Sequence, residues 1–145
     1  LMKQFVPAYA VEAPKLLKLL MFNYLFSNGD AHFKNFSLLE TSLGDYRLSP
    51  AYDLVNSRIH IRDSDFALHD GLLPRNIAQG KIQYQFAVLA DKAGISGKIF
   101  DKMVGVMLSN KDLVEELIFA SFLDDTTKRN YWQSYQGRLK QFLKT

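Results

Sequence analysis

The sequence predicts a mainly α-helical fold with a small β-hairpin inserted after its central helix. Three observations lead there. Residues 15–26 are apolar around nearly the whole circumference of a helix, as in a helix buried on all sides. Two short runs, Phe36-Ser37-Leu38-Leu39 and Tyr46-Arg47-Leu48, flank a turn-forming stretch that contains Gly44-Asp45. Beyond residue 80, four successive stretches carry apolar residues at helical spacing, separated by capping residues.

Taken in order, Glu12-Ala13-Pro14 predicts a helix start, with Pro14 in the first turn, where its missing N–H costs least. The helix then runs from Lys15 to Phe26 and stops at Ser27-Asn28-Gly29, residues that suit a turn. Glu40 to Asp45 is the expected hairpin loop, and Pro50 takes the chain out of the sheet. Ser57 to Gly80 reads as a long irregular connection with one short strand around Ile59 to Ile61. Such a loop is either a substrate-facing segment or a surface loop packed on the helical body. Ile82, Phe86, Leu89, Ala90 and Ala93 form one helical stripe, closed by Gly94. Ser96 caps a helix carrying Ile99, Phe100, Met103, Val104 and Met107. Asn110 or Lys111 opens the next, with Leu113, Leu117, Ile118 and Phe122 on its stripe. Asp125 or Thr126 opens the last, with Tyr131, Tyr135, Leu139 and Phe142. These stripes are core faces rather than cofactor contacts.

Composition narrows the function. A chain of 145 residues, 48% of them hydrophobic, fits one domain with a sizeable core. Without cysteine it has neither disulfides nor a thiolate metal site, which fits a reducing, cytoplasmic setting. The longest apolar run is too short to span a bilayer, and the first residues do not resemble a secretory signal, so no membrane role is expected. A net charge of +3 is too mild to imply nucleic-acid binding. Lys128, Arg129, Arg138, Lys140 and Lys144 concentrate on the last helix, where a solvated face is the default reading. Leu1 precedes any Met, which suggests a piece of a longer protein.

The chemistry gathers in Asn28-Gly29-Asp30-Ala31-His32-Phe33-Lys34-Asn35 and in Asp53. An Asp, an Asn five residues on, and a second Asp beyond a strand pair follow the spacing of kinase active sites. There the first Asp orients or deprotonates the attacking hydroxyl, while the Asn and the second Asp hold magnesium. Each residue has a plainer reading. Asp30 is a common turn residue, Asn35 a turn cap, and Asp53 a candidate N-cap for a helix opening at Leu54. His32 suits a loop-shaping hydrogen bond, and His32, His60 and His69 lack ligand-like spacing, so zinc is not expected.

The two motifs, residues 28–38 and Tyr46-Arg47-Leu48-Ser49-Pro50-Ala51-Tyr52-Asp53, resemble the C-terminal lobe of HipA-type serine/threonine kinases. These are the toxins of bacterial HipA–HipB toxin–antitoxin modules. The family pattern, roughly N-x-D-x-H-x-K-N followed by L-[ST]-P-x-Y-D, is filled at every fixed position. The resemblance implies a kinase C-lobe fold, with ATP and Mg2+ as cofactors. It implies Asp30 as the catalytic aspartate, with Lys34 close to the transferred phosphate. It also implies Asn35 and Asp53 as metal ligands, and His32 as a fixed position of the nucleotide-binding loop. A protein hydroxyl would be the acceptor, as some relatives modify aminoacyl-tRNA synthetases. A HipB-like antitoxin would be a partner, with DNA contacted indirectly through it.

Only 27 residues precede Asn28, with no Gly-rich loop among them, and no G-x-x-x-x-G-K-[ST] occurs. The expectation is therefore one C-terminal lobe over 1–145, part of a longer kinase and inactive in isolation. Two alternatives come from other classes. One is a non-catalytic helical module that binds an antitoxin–DNA complex. The other is a metal-dependent hydrolase.

Overall fold

The computed structural model describes residues 1–57, 67–73, 75–78 and 80–144. The predicted class holds: the fold is mainly helical with one two-stranded antiparallel hairpin. In chain order the helices are α1 (Met2–Phe5), α2 (Tyr9–Leu25), α3 (Arg75–Ala78), α4 (Ile82–Lys92), α5 (Gly97–Ser109), α6 (Lys111–Ala120) and α7 (Asp125–Phe142). A 3-10 turn, Phe33–Asn35, and the strands β1 (Leu38–Glu40) and β2 (Tyr46–Leu48) lie between α2 and α3. The predicted strand at Ile59 to Ile61 and the position of His60 lie outside the described residues.

The central helix α2 packs against α1, α4, α7 and β2. Leu17, Met21 and Tyr24 on α2 meet Phe86 of α4 and Tyr135 and Phe142 of α7 in one apolar cluster. Fully burying each such side chain contributes roughly 1.5–3 kcal/mol. The helix is central as the sequence predicts, but it is not buried on all sides, since Lys15 and Lys18 are exposed and Leu16, Leu19 and Leu20 only partly covered, and it starts earlier. Pro14 is its sixth residue rather than its first-turn residue. Tyr9 to Ala13 contain no breaker, and the helix forgoes one hydrogen bond at Pro14 while burying Ala13 and Leu17.

Later helices follow their caps. Gly94, at φ +75°, ends α4, with Ile95 N–H donating to the Ala90 carbonyl at 2.9 Å. The Ser96 side chain accepts from Ile99 N–H at the start of α5. The cap of α7 is Asp124, one residue before the predicted start, and it accepts from the N–H groups of Thr126 and Thr127. Two further expectations are corrected. The stretch from Ser57 to Gly80, read as irregular apart from one short strand, contains α3. Arg138, counted in a basic surface face, is buried at 4% exposure.

The hairpin pairs Leu38 with Leu48, Leu39 with Arg47 and Glu40 with Tyr46. Buried Glu12 of α2 ties it to the body: one carboxylate oxygen accepts from Leu48 N–H at 3.2 Å, the other from Lys15 at 2.6 Å. Among the described residues no helix is long and apolar enough to cross a membrane.

Candidate active site

The site grows from the way α2 ends. Ser27 turns left-handed at φ +54°, its N–H donating to the Tyr24 carbonyl and that of Asn28 to the Asn23 carbonyl. This paired closure is a standard helix stop, made here on a serine rather than on Gly29. It sends Asn28 inward, at 4% exposure. The Asn28 amide Nδ2 donates to Asn23 Oδ1 at 3.0 Å and to the Asp53 backbone carbonyl at 2.8 Å. Its Oδ1 accepts from Asp30 N–H at 3.1 Å. One side chain therefore fixes the helix end, the Asp30 backbone and the Asp53 backbone together. Gly29 is held on both sides, its N–H donating to Ser57 Oγ at 3.1 Å and its carbonyl accepting from Ala67 N–H at 2.9 Å.

The 3-10 turn then carries Asn35 back over the loop. Its Nδ2 donates to the Asp30 backbone carbonyl at 2.6 Å and to Asp53 Oδ2 at 2.8 Å. Asp53 itself is left-handed, at φ +54°, a conformation that Asp tolerates better than most residues. Residues 51–56 form no regular element, so Asp53 is not the cap of a helix at Leu54. The Tyr52 hydroxyl lies 3.2 Å from the Lys34 carbonyl, and Ser37 and Ser49 join their hydroxyls at 3.1 Å across the base of the hairpin. These bonds hold the Asp53 segment against the loop.

The Asp30 carboxylate is half-exposed, with Lys34 Nζ at 3.3 Å and His32 Nε2 at 3.7 Å from Oδ1. The Lys34 hydrogen bond holds it below the usual carboxylate range, opposed in part by desolvation and aided by the charge of Lys34, by Asn35 and by His32. Asp30 is thus ionised at neutral pH and open to a ligand. The five predicted residues, Asp30, His32, Lys34, Asn35 and Asp53, lie together. His69 does not join them.

The donor set suits a hard cation. Asp53 offers carboxylate oxygens, and Asn35, with its Nδ2 engaged twice, has Oδ1 to offer. No group of three His, Cys, Asp or Glu suited to a metal occurs among the described residues. Two protein oxygens with water and phosphate completing the shell is magnesium's habit, not zinc's. An open apolar groove of about 1220 Å³ runs from this loop along α2 and α4, bordered by Leu16, Leu20, Phe33, Leu72 and Tyr84. The groove is not read from the sequence, and the resemblance implies Asn28 only as a structural loop position, without its hydrogen bonds. For Asn28 the available signal is an amide placed at the end of a helix, just ahead of the acid.

A family model described as the HipA-like C-terminal domain matches residues 1–113. Over 88 residues, 61% of the chain, the sequence is 33% identical to "Putative kinase Y4dM" of Sinorhizobium fredii (strain NBRC 101917 / NGR234). The match covers 21% of that relative, so the chain spans about a fifth of its length.

Proposed function

The chain belongs to the family of HipA-like C-terminal domains, and on that premise we propose that it is the catalytic lobe of an ATP- and magnesium-dependent protein kinase acting on serine or threonine. The observation that carries the reading is the Asn35 amide, bonded at once to the Asp30 carbonyl and the Asp53 carboxylate. It supports a metal-binding pair held next to a carboxylate that a hydroxyl can approach.

In this proposal Asp30 accepts a hydrogen bond from the substrate hydroxyl and aims its oxygen at the γ-phosphorus. The new O–P bond forms as the bond to the β-phosphate oxygen breaks. ADP leaves with that electron pair, and the hydroxyl proton passes to Asp30. A carboxylate depressed by Lys34 is a weak base, which suits a loose transition state whose proton moves late. Lys34, 3.3 Å from Asp30, offsets charge on the transferring group as a point cation. Asn35 and Asp53 would hold magnesium, which when bound neutralises charge on the phosphates.

A protein substrate, a HipB-like antitoxin and indirect DNA contact are partners that the family reading suggests. The test is transfer of labelled γ-phosphate to protein by the native protein that contains this chain. Transfer that Asp53→Ala or Asp30→Ala reduces to background supports the proposal. Transfer that survives both contradicts it, and release of free phosphate without labelled protein favours the hydrolase.

A further inference from the structure

Arg138 sits on α7, beyond the family-matched residues, and is buried at 4% exposure. Among the described residues its guanidinium pairs with no carboxylate. It lies over the Tyr24 ring, 4.9 Å from the centroid. Its Nη1 donates to the His69 backbone carbonyl at 2.6 Å, and its Nε lies at the longer distance of 3.4 Å from Ser27 Oγ. Ser134, one helical turn earlier on the same face, meets the same hydroxyl at 3.0 Å. A buried guanidinium is a poor way to fill space, because an apolar side chain fills it without desolvation. What the guanidinium adds is donation in fixed directions.

Those directions close a circuit. Ser27 is the left-handed residue immediately before Asn28. Gly29, one residue further, accepts from Ala67 N–H, and His69 follows two residues after Ala67. Gln85 clasps the next residues, its Oε1 accepting from Leu72 and Leu73 N–H and its Nε2 donating to the Asp70 carbonyl. A Cβ at Gly71, at φ +91°, would lie 2.6 Å from Gln85 Oε1, so the clasp requires glycine there. From these contacts we propose that Arg138 is a positioning residue: α7 holds the catalytic loop and residues 67–73 in one geometry through it. The inference rests on the kinase reading for its catalytic consequence, but the coupling itself can be observed without catalysis.

The clean probe is Ser27→Gly in the native protein. It suits φ +54° while removing the hydroxyl that Ser134 and Arg138 meet. The expected result is a folded protein with kcat lowered about 10-fold and the KM for ATP unchanged, as displacement near a reacting group produces. Arg138→Met lowers kcat about 100-fold and Arg138→Lys restores part of it. In Arg138→Met, amide exchange at Ala67 quickens, whereas in Asp53→Ala it does not. Unchanged kcat in both Ser27→Gly and Arg138→Met overturns the positioning role. If the unaltered protein transfers no phosphate, the kinase reading fails instead, and Ala67 exchange decides the coupling: faster in Arg138→Met sustains it, unchanged ends it.

Discussion

The body of α2 and the loop that follows it are held by opposite physics. Its middle buries Leu17, Met21 and Tyr24 against α4 and α7, where attraction is non-directional and shape is the main constraint. Three residues beyond its last turn, the chain is held by amides. Asn28 and Asn35 use their Nδ2 groups in four hydrogen bonds that join Asn23, Asp30 and Asp53. The apolar body supplies stability that tolerates volume-conserving exchange. The polar loop supplies direction, and it loses that direction when a single donor is removed.

The difference is sharpest when each region is broken alone. Met21→Ala should cost about 2–5 kcal/mol in denaturant unfolding, while the surviving folded fraction keeps its specific phosphotransfer rate. Asn35→Leu should reverse the pattern, lowering transfer about 10²–10³-fold with little change in the unfolding midpoint. A parallel loss of stability and rate in both variants would erase the distinction. Asn28→Ala lies between them. It leaves the Asn23 side chain and the Asp53 carbonyl without their donor, which costs about 1–3 kcal/mol and lowers activity as well, seen by unfolding and by kinetics on the same sample.

Smaller effects test the electrostatics. Lys34 lowers the Asp30 pKa, so Lys34→Met lets it rise, and the acid limb of the kcat/KM profile should move to higher pH. An unmoved limb would mean that the Asp30 carboxylate does not set it. On the helical side, the Thr127 hydroxyl, together with backbone N–H groups, depresses Asp124 below its ordinary value of 3.8. Its stabilisation of α7 is therefore complete above that value and is lost as pH falls through the lower folded-state value. Asp124→Asn should flatten this part of the acid unfolding curve, lowering stability at neutral pH and changing it little at low pH.

Much of this was legible in the sequence because local and tertiary demands agree. Gly94, Ser96 and the stripe from Ile82 to Ala93 each suit their place without reference to the rest of the chain. Asp30, Asn35 and Asp53 were legible as a set because their order and spacing suit one chemistry, although each alone reads as a turn or cap residue. The misreadings share a cause. Pro14 usually opens a helix, but burial of Ala13 and Leu17 carries α2 back to Tyr9. Arg138 follows the usual solvent-facing pattern until the fold places Tyr24, Ser27 and the His69 carbonyl around it. Left-handed Ser27 and Asp53 were not legible because non-glycine residues seldom take positive φ, so neither residue type signals it.

In the proposed function Asn35 and Asp53 would hold one divalent cation beside the Asp30 carboxylate. Mn2+ titrated with ATP into the isotope-labelled native protein tests it directly, through paramagnetic broadening of individual amides. Early and selective loss of the Asp30, Asn35 and Asp53 signals is expected, abolished in Asp53→Ala. Broadening centred elsewhere, or the same pattern in Asp53→Ala, would contradict it.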